Sequence, residues 1–242
     1  MQHRLGIEDW AFWSPEGDTP AEWRAHWQRA GAAPAAAPIP DDAIPAGQRR
    51  RMSSLSKLAV QAALRTTRGG AQPDFMVFCS QHGELVRTRD LLRAIVAGEE
   101  LSPAAFSQSV HNTGAGLYSI AAQSRAPASS VASGPGTFAY GWLEAEGYLV
   151  ENSAQRALLV CCEDPLPEEY RPFSKQVQCT YAVGLLLKLA SGGGIGLELS
   201  SSDDADDALP FAPRFLAWWL GSAPALAMTA DRQRWIWSRD GA

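Results

Sequence analysis

Four cysteines and four histidines are all that this 242-residue chain offers to thiol, imidazole or metal chemistry. The cysteines form no C-x-x-C pair, so the chain reads as neither a zinc site nor a disulfide scaffold, and a reducing cytoplasm is the expected setting. Cys161 and Cys162 are adjacent within an apolar run, where two buried small hydrophobes are expected rather than a redox pair. Positive charge is also scarce. With 21 Lys and Arg against 26 Asp and Glu, the net charge is -5, which argues against a nucleic-acid binder, whose domain would show a basic face. Long hydrophobic runs are missing too. The stretch "FLAWWLGSAPALAMTA" is shorter than the ~20 residues of a spanning helix and is broken by Pro224, so no membrane span is expected. "MQHRLGIEDWAFW" is charged throughout and lacks the apolar region and cleavage site of a signal peptide. The glycine run "SGGGIG" precedes a β-like segment rather than a helix and offers no dipole to a phosphate, so it reads as a turn, and neither a cofactor nor a metal is expected.

What is present is core-forming material, at 46% hydrophobic residues. "RLGIEDWAFW" is rich in β-formers. In "TPAEWRAHWQRAG", Thr19, Pro20 and Glu22 form a capping box that opens a helix. Residues 32–47 are rich in Pro and Ala and read as an extended surface connection. "SSLSKLAVQAALRTTRGG" gathers Leu55, Leu58, Ala59, Ala62 and Ala63 on one helical face. Just before it, "QRRRMSS" sets three arginines at a helix N-terminus, where the dipole disfavours them, which suits either an anionic or carboxylate partner or, as is commoner, a solvated charge run.

Strand and helix signals then alternate. "DFMVFCS" reads as a strand covered on both faces, "TRDLLRAIVAGEEL" as a helix, and "SPAAFSQSVHNTGAGLYSIAAQS" as a broken pair of helices. "SSVAS" and "RALLVCCED" follow as strands, and "CTYAVGLLLKLA" with "IGLELS" as a hairpin across "SGGG". The order predicts an α/β fold with a mixed, mainly parallel five-stranded sheet and helices on both faces. A domain over 1–207 closes in the acidic "SSSDDADDA". The tail over 208–242 holds four of nine tryptophans, too many for a solvated extension, and is expected to pack on the domain.

The stretch "SSVASGPGTFAYGWLEA" runs from a strand through a glycine turn into a helix. Many α/β enzymes place a nucleophile at such an elbow, because the helix N-terminus stabilises negative charge. Ser133, Gly134, Pro135 and Gly136 fill the turn here, with no cysteine, lysine or carboxylate among them. Ser133 lacks a G-x-S-x-G setting and a carboxylate-histidine pair positioned to activate it. In "SVHNTGAG", His111 and Asn112 suit either a helix-terminating turn or a site.

In the order and spacing of "RRRMSSLSKLAVQAAL", "SPAAFSQSVHNTGAGLYSIAA" and the elbow helix, the chain resembles the N-terminal half of β-ketoacyl synthases of the thiolase fold, over roughly residues 1–200. In that family a cysteine nucleophile begins the elbow helix. Matching Gly141, Ala145 and Leu149 puts the missing cysteine at Pro135, with Ser133 and Gly134 as alternatives. The resemblance also implies two histidines from a second half, which has no counterpart here. It therefore implies a non-catalytic, chain-length-factor-like subunit, similar to stand-alone halves of bacterial aryl-polyene systems, that forms a heterodimer with an active ketosynthase. Ser129 and Val131 are expected at the interface strand. Phe106, His111, Asn112, Phe138 and Tyr140 are expected at the interface and acyl tunnel. Two readings stand beside it: an independent acyl-transferring or hydrolysing enzyme using Ser133, and a scaffold that docks acyl carrier protein.

Overall fold

The computed structural model describes residues 3–239. Strand β1 (Leu5–Trp13) leads into α1 (Pro20–Trp27), where the capping box forms as read: Thr19 Oγ1 accepts from the Glu22 N–H while Glu22 Oε2 accepts from the Thr19 N–H. The Pro/Ala connection follows as irregular chain, anchored by a fully buried Ile44, and ends in the one-turn α2 (Ala46–Arg49). The first of the three arginines has a local partner, since Arg49 meets Asp41 at 3.4 Å and donates to the Ile44 carbonyl at 2.7 Å.

The amphipathic α3 (Ser54–Thr66) is capped by Ser53 and precedes β2 (Phe75–Cys79), buried at every residue. Next come α4 (Leu85–Ala97), α5 (Pro103–Ser107), α6 (Thr113–Ala122), β3 (Ala128–Val131), α7 (Thr137–Glu151) and β4 (Ala157–Glu163). The chain closes with β5 (Tyr181–Leu189), β6 (Ile195–Ser201), α8 (Phe211–Trp219), β7 (Ala225–Ala230) and β8 (Gln233–Arg239).

One mixed sheet runs in the order β3-β2-β4-β5-β1-β6-β8-β7. Among the described residues it has eight strands rather than the expected five, because β1 and the two C-terminal strands join it. Parallel pairing is confined to β3-β2-β4; every other pair is antiparallel, so the sheet is mixed but not mainly parallel. The expected hairpin of β5 with β6 does not form. Strand β1 lies between them, and β6 turns away to pair with β8 over Ile195–Ser201. A hairpin reading uses local turn chemistry, and here the long-range apolar match of β1 with β5 prevails over it.

Period-two alternation sorts the core into two layers. Leu159 and Cys161 face α7 and α8, whereas Leu158, Val160 and Cys162 face α3 and α6. Helix α7 lies so close to the sheet that a side chain at Gly141 would collide with Cys79 Sγ, which is why glycine stands there. The C-terminal aromatics belong to the α7 layer: Phe211, Phe215, Trp235 and Trp237 are fully buried around Phe138 and Trp142.

Candidate functional site

Residues 132–136 connect β3 to α7 at the carboxyl end of the parallel strands, the end at which open α/β sheets build their sites. Thr137 closes the turn: its hydroxyl donates to the Gly134 carbonyl at 2.6 Å and accepts the Ser133 N–H at 2.8 Å. Gly134 has φ +52°, a left-handed geometry that favours glycine. Pro135 has no N–H, so one donor of an anion cradle is lost at the helix start.

The chain's own C-terminal hairpin covers this elbow. Asp231 and Arg232 form the β7–β8 turn, both with positive φ (+52° and +63°), the signature of a tight two-residue hairpin. Asp231 Oδ2 lies 2.9 Å from where a Cβ on Gly134 would be. The Tyr140 hydroxyl donates to Gln233 Oε1 at 2.7 Å, and its ring meets Trp235 edge-on at 4.9 Å. Burial, and Asp206 next to it, push the Asp231 carboxyl above its ordinary range. Phe138, expected at a tunnel end, is a core residue instead. It is 2% exposed and packs on Phe215 at 5.1 Å and Trp237 at 6.1 Å, because the C-terminal aromatics close over it.

Among the described residues, the Ser133 hydroxyl makes no hydrogen bond, and the backbone N–H of that residue is taken by Thr137. The four thiols lie elsewhere, all buried. Burial pushes Cys79, Cys161, Cys162 and Cys179 well above the ordinary thiol value, away from the thiolate that nucleophilic chemistry needs.

The other expected interface residues fall into two groups. Ser129 and Val131 sit on β3, the open edge of the sheet; Ser129 donates to Glu144 at 2.6 Å, and Val131 packs partly on the core. Phe106 on α5 is 65% exposed. His111 is turned inward and donates through Nε2 to the Ser80 carbonyl at 2.7 Å, while Asn112 is exposed and starts α6 without a side-chain cap. Helix α4 has no fully buried residue, and Leu92, Ile95 and Val96 on it are exposed.

Sequence reasoning missed two features. The first is the Asp231–Gln233 turn, whose flanking β-formers, "ALAMTA" and "QRWIWSR", were the available signal. The second is a cavity of about 500 Å³ between the start of α3, α4, α5 and the loop after β4. Its apolar walls include Leu55, Leu85, Leu91, Leu101 and Leu166, and its polar groups include His82, Glu84, Arg87 and Asp164. Glu84 ties two elements together: its Oε1 accepts from Ser53 at 2.7 Å and from Ser56 at 2.5 Å. Behind the cavity, Glu163 is buried against Ser80 and the Gln81 N–H, and desolvation pushes its carboxyl up to about 8. Among the described residues no group of His, Cys, Asp and Glu is placed to hold a metal, and no helix is long and apolar enough to cross a membrane.

The model of the β-ketoacyl synthase N-terminal domain matches residues 21–238. Among solved structures, a chain from the ketosynthase ApeO in complex with its chain length factor ApeC, from Xenorhabdus doucetiae, is 32% identical, with a TM-score of 0.84 over 98% of this chain and 99% of that one. The ishigamide ketosynthase/chain length factor (19% identity, TM-score 0.64, 84% of this chain and 69% of that one) shares the fold. So does a β-ketoacyl synthase from Burkholderia phymatum STM815 (14%, 0.64, 82% of this chain and 64% of that one). No curated protein matches the chain. Matched over most of its length by that family model, and closely superposable along its whole length on a chain of a ketosynthase–chain length factor complex, the chain belongs to the β-ketoacyl synthase family, in the part that forms the N-terminal domain.

Proposed function

We propose that the chain is a non-catalytic, chain-length-factor-like partner of an active ketosynthase in a type II polyketide or fatty-acid system of the aryl-polyene kind. It stabilises that enzyme and shapes its acyl tunnel. The observation that carries this reading is the elbow itself: the turn has no cysteine, and the Asp231 hairpin stands over it. A reacting acyl group needs open space there and finds the chain's own strand turn. The partner supplies the cysteine and both histidines, and acyl carrier protein delivers substrate to the pair.

Two surface features support a partner. The β3 edge exposes unpaired backbone groups that a second strand satisfies. The exposed apolar residues of α4, α5 and α6, from Leu92 to Ile120, resemble the uncovered half of an interface rather than a finished surface. The related chain from Xenorhabdus doucetiae comes from a complex of ketosynthase and chain length factor, which agrees with this assignment. In this reading the acyl chain ends in the cavity beside α4.

Co-expression with candidate ketosynthases, followed by size-exclusion chromatography and intact-mass spectrometry after exposure to an acyl thioester, tests it. The expected result is a stable heterodimer with the acyl adduct on the partner alone. A monodisperse monomer carrying a stoichiometric adduct on Ser133 overturns it and leaves the independent-enzyme reading in its place.

A further inference from the structure

One wall of the cavity beside α4 is loop rather than helix. Pro165, Leu166 and Pro167, from the connection between β4 and β5, face Asp90, Leu91 and Ala94 of α4 across it. Among the described residues none of the elbow, 132–136, lines the cavity, so the elbow is not its mouth.

The loop is tied to itself. Gln178 clasps it: Oε1 accepts the Leu166 N–H at 3.0 Å, and Nε2 donates to Ser174 Oγ at 3.0 Å and to the Gln176 carbonyl at 3.1 Å. Arg171 Nε donates to the Leu166 carbonyl at 3.2 Å, and Pro165, Pro167 and Pro172 each fix a φ angle. Its base is joined to the body, where the Thr180 hydroxyl donates to Asp164 Oδ1 at 3.3 Å and the Val177 N–H to the Ala208 carbonyl at 2.8 Å. A segment cross-linked in this way swings on its base rather than unravelling.

The far end is held by charge alone. Glu169 accepts from Arg93 at 2.9 Å and stands 3.8 Å from Arg89, which also serves Asp90 at 2.7 Å. These pairs cross from loop to α4 in the open, with the Arg93 side chain 66% and the Glu169 side chain 40% exposed. Neither the 3-10 turn Glu168–Phe173 nor α4 has a fully buried residue, so no dry core reinforces the contact. Exposed pairs of this kind are weak and are screened by salt.

Resting on the reading that the cavity receives an apolar chain, we infer that residues 164–178 are a strap latched to α4 by Glu169, and that release of the latch admits apolar ligands between strap and helix. The strap sets how fast the cavity fills and empties, not how tightly it holds its contents.

The test follows uptake of the neutral apolar dye 1-N-phenylnaphthylamine by the full chain, in stopped-flow fluorescence. Salt is raised from about 0.01 M to about 1 M, which shortens the screening length from roughly 30 Å to 3 Å. Entry and release should both quicken roughly two- to fivefold, the worth of an exposed ion pair at tenfold per 1.4 kcal/mol. The dissociation constant should stay within about twofold, because the open state changes the route and not the end states. Glu169→Gln should show the high-salt rates at low salt, with no further response to salt. Arg93→Cys with Glu169→Cys, bridged by a reducible bismethanethiosulfonate spacer, should slow entry until reductant restores it; the four native thiols are buried and are spared. Ala94→Trp, which fills the cavity, should abolish uptake and so assigns the signal to this space. Rates indifferent to salt and to Glu169→Gln, entry unimpeded by the bridge, uptake that persists in Ala94→Trp, or no uptake by the parent chain overturns the inference. Heterodimer formation with the ketosynthase is scored separately, so a complex that assembles while dye entry ignores the latch removes this inference alone.

Discussion

The Tyr140 hydroxyl donates a 2.7 Å hydrogen bond to Gln233 Oε1, joining the first turn of the elbow helix to a strand 93 residues later. Asp231, two residues before Gln233, stands over Gly134. The elbow is thus closed from within the chain, by a hairpin made of tail residues.

This closure has a stability signature. Gly134→Ala should cost about 1–2 kcal/mol, the usual penalty of a left-handed backbone for a residue with a Cβ. The displaced atom, Asp231 Oδ2, is the end of a movable side chain, so most of the cost is backbone strain and should persist in an Asp231→Ala background. Tyr140→Phe leaves Gln233 without its donor and should cost ~1 kcal/mol. Denaturant unfolding of the variants measures both. If Gly134→Ala is neutral, the turn geometry described for the elbow is wrong.

Glu163 gives a prediction in pH. Its carboxyl, ordinarily near 4.5, is pushed up to about 8 in the fold, chiefly by desolvation. The folded state therefore holds a proton that the unfolded chain releases. The contribution is fully present below about 4.5, declines as pH rises, and is lost through about 8. Glu163→Gln keeps a neutral, hydrogen-bonding side chain without that liability. Its thermal midpoint relative to the parent should rise steadily between those two values and level off above. A flat difference across the range means that Glu163 is ionised in the fold.

The C-terminal segment gives the third prediction. Asp207 is tied to the hairpin in both directions, its N–H to the Thr229 carbonyl at 2.8 Å and its Oδ2 to the Thr229 N–H at 2.7 Å, and it pairs with Arg214 at 2.7 Å. We propose residues 1–207 as the ketosynthase-like domain and 208–242 as its cover. Ending the chain after Asp207 uncovers Phe138 and Trp142 and leaves β6 as a bare edge. Aggregation, seen as loss of the monomeric peak in size exclusion, is expected. A soluble product with an unchanged unfolding midpoint means that the segment is dispensable.

The sequence carried the local features well and the long-range ones poorly. Thr19 with Glu22 and the all-apolar β2 were legible because caps and covered strands are written in neighbouring residues. The place of β1 between β5 and β6, and the pairing of β8 with β6, depend on contacts across most of the chain, and no local pattern encodes them. The elbow turn is legible as a motif; its cover is not, because "TADRQRW" becomes a two-residue turn only once β7 and β8 pair on either side of it. The cavity was invisible for the same reason: Ser53, Glu84 and Asp164 are brought together only by the fold.

The last prediction concerns assembly. In the parallel pairing of β3 with β2, the Met76 N–H bonds the Pro127 carbonyl and the Ser80 N–H bonds the Val131 carbonyl. Alternation then turns the backbone groups of Ala128 and Ser130 away from β2, toward the open edge. A partner strand laid antiparallel along β3 uses those groups. Val131→Asp puts a charge into the seam and should cost several kcal/mol of association, on the order of the ~3–5 of an uncompensated buried charge. Val131 also packs partly on the core, so that variant alone confounds assembly with folding. Ser130→Pro separates them: it deletes an outward N–H that β2 does not use, at an edge position where proline is tolerated. The unfolding midpoint of Ser130→Pro should stay within a few degrees of the parent while co-purification with the ketosynthase is lost. If Ser130→Pro and Val131→Asp, both folded, still co-purify at parental yield, the partner does not dock on β3, and the apolar face of α4 and α5 becomes the surface to mutate next.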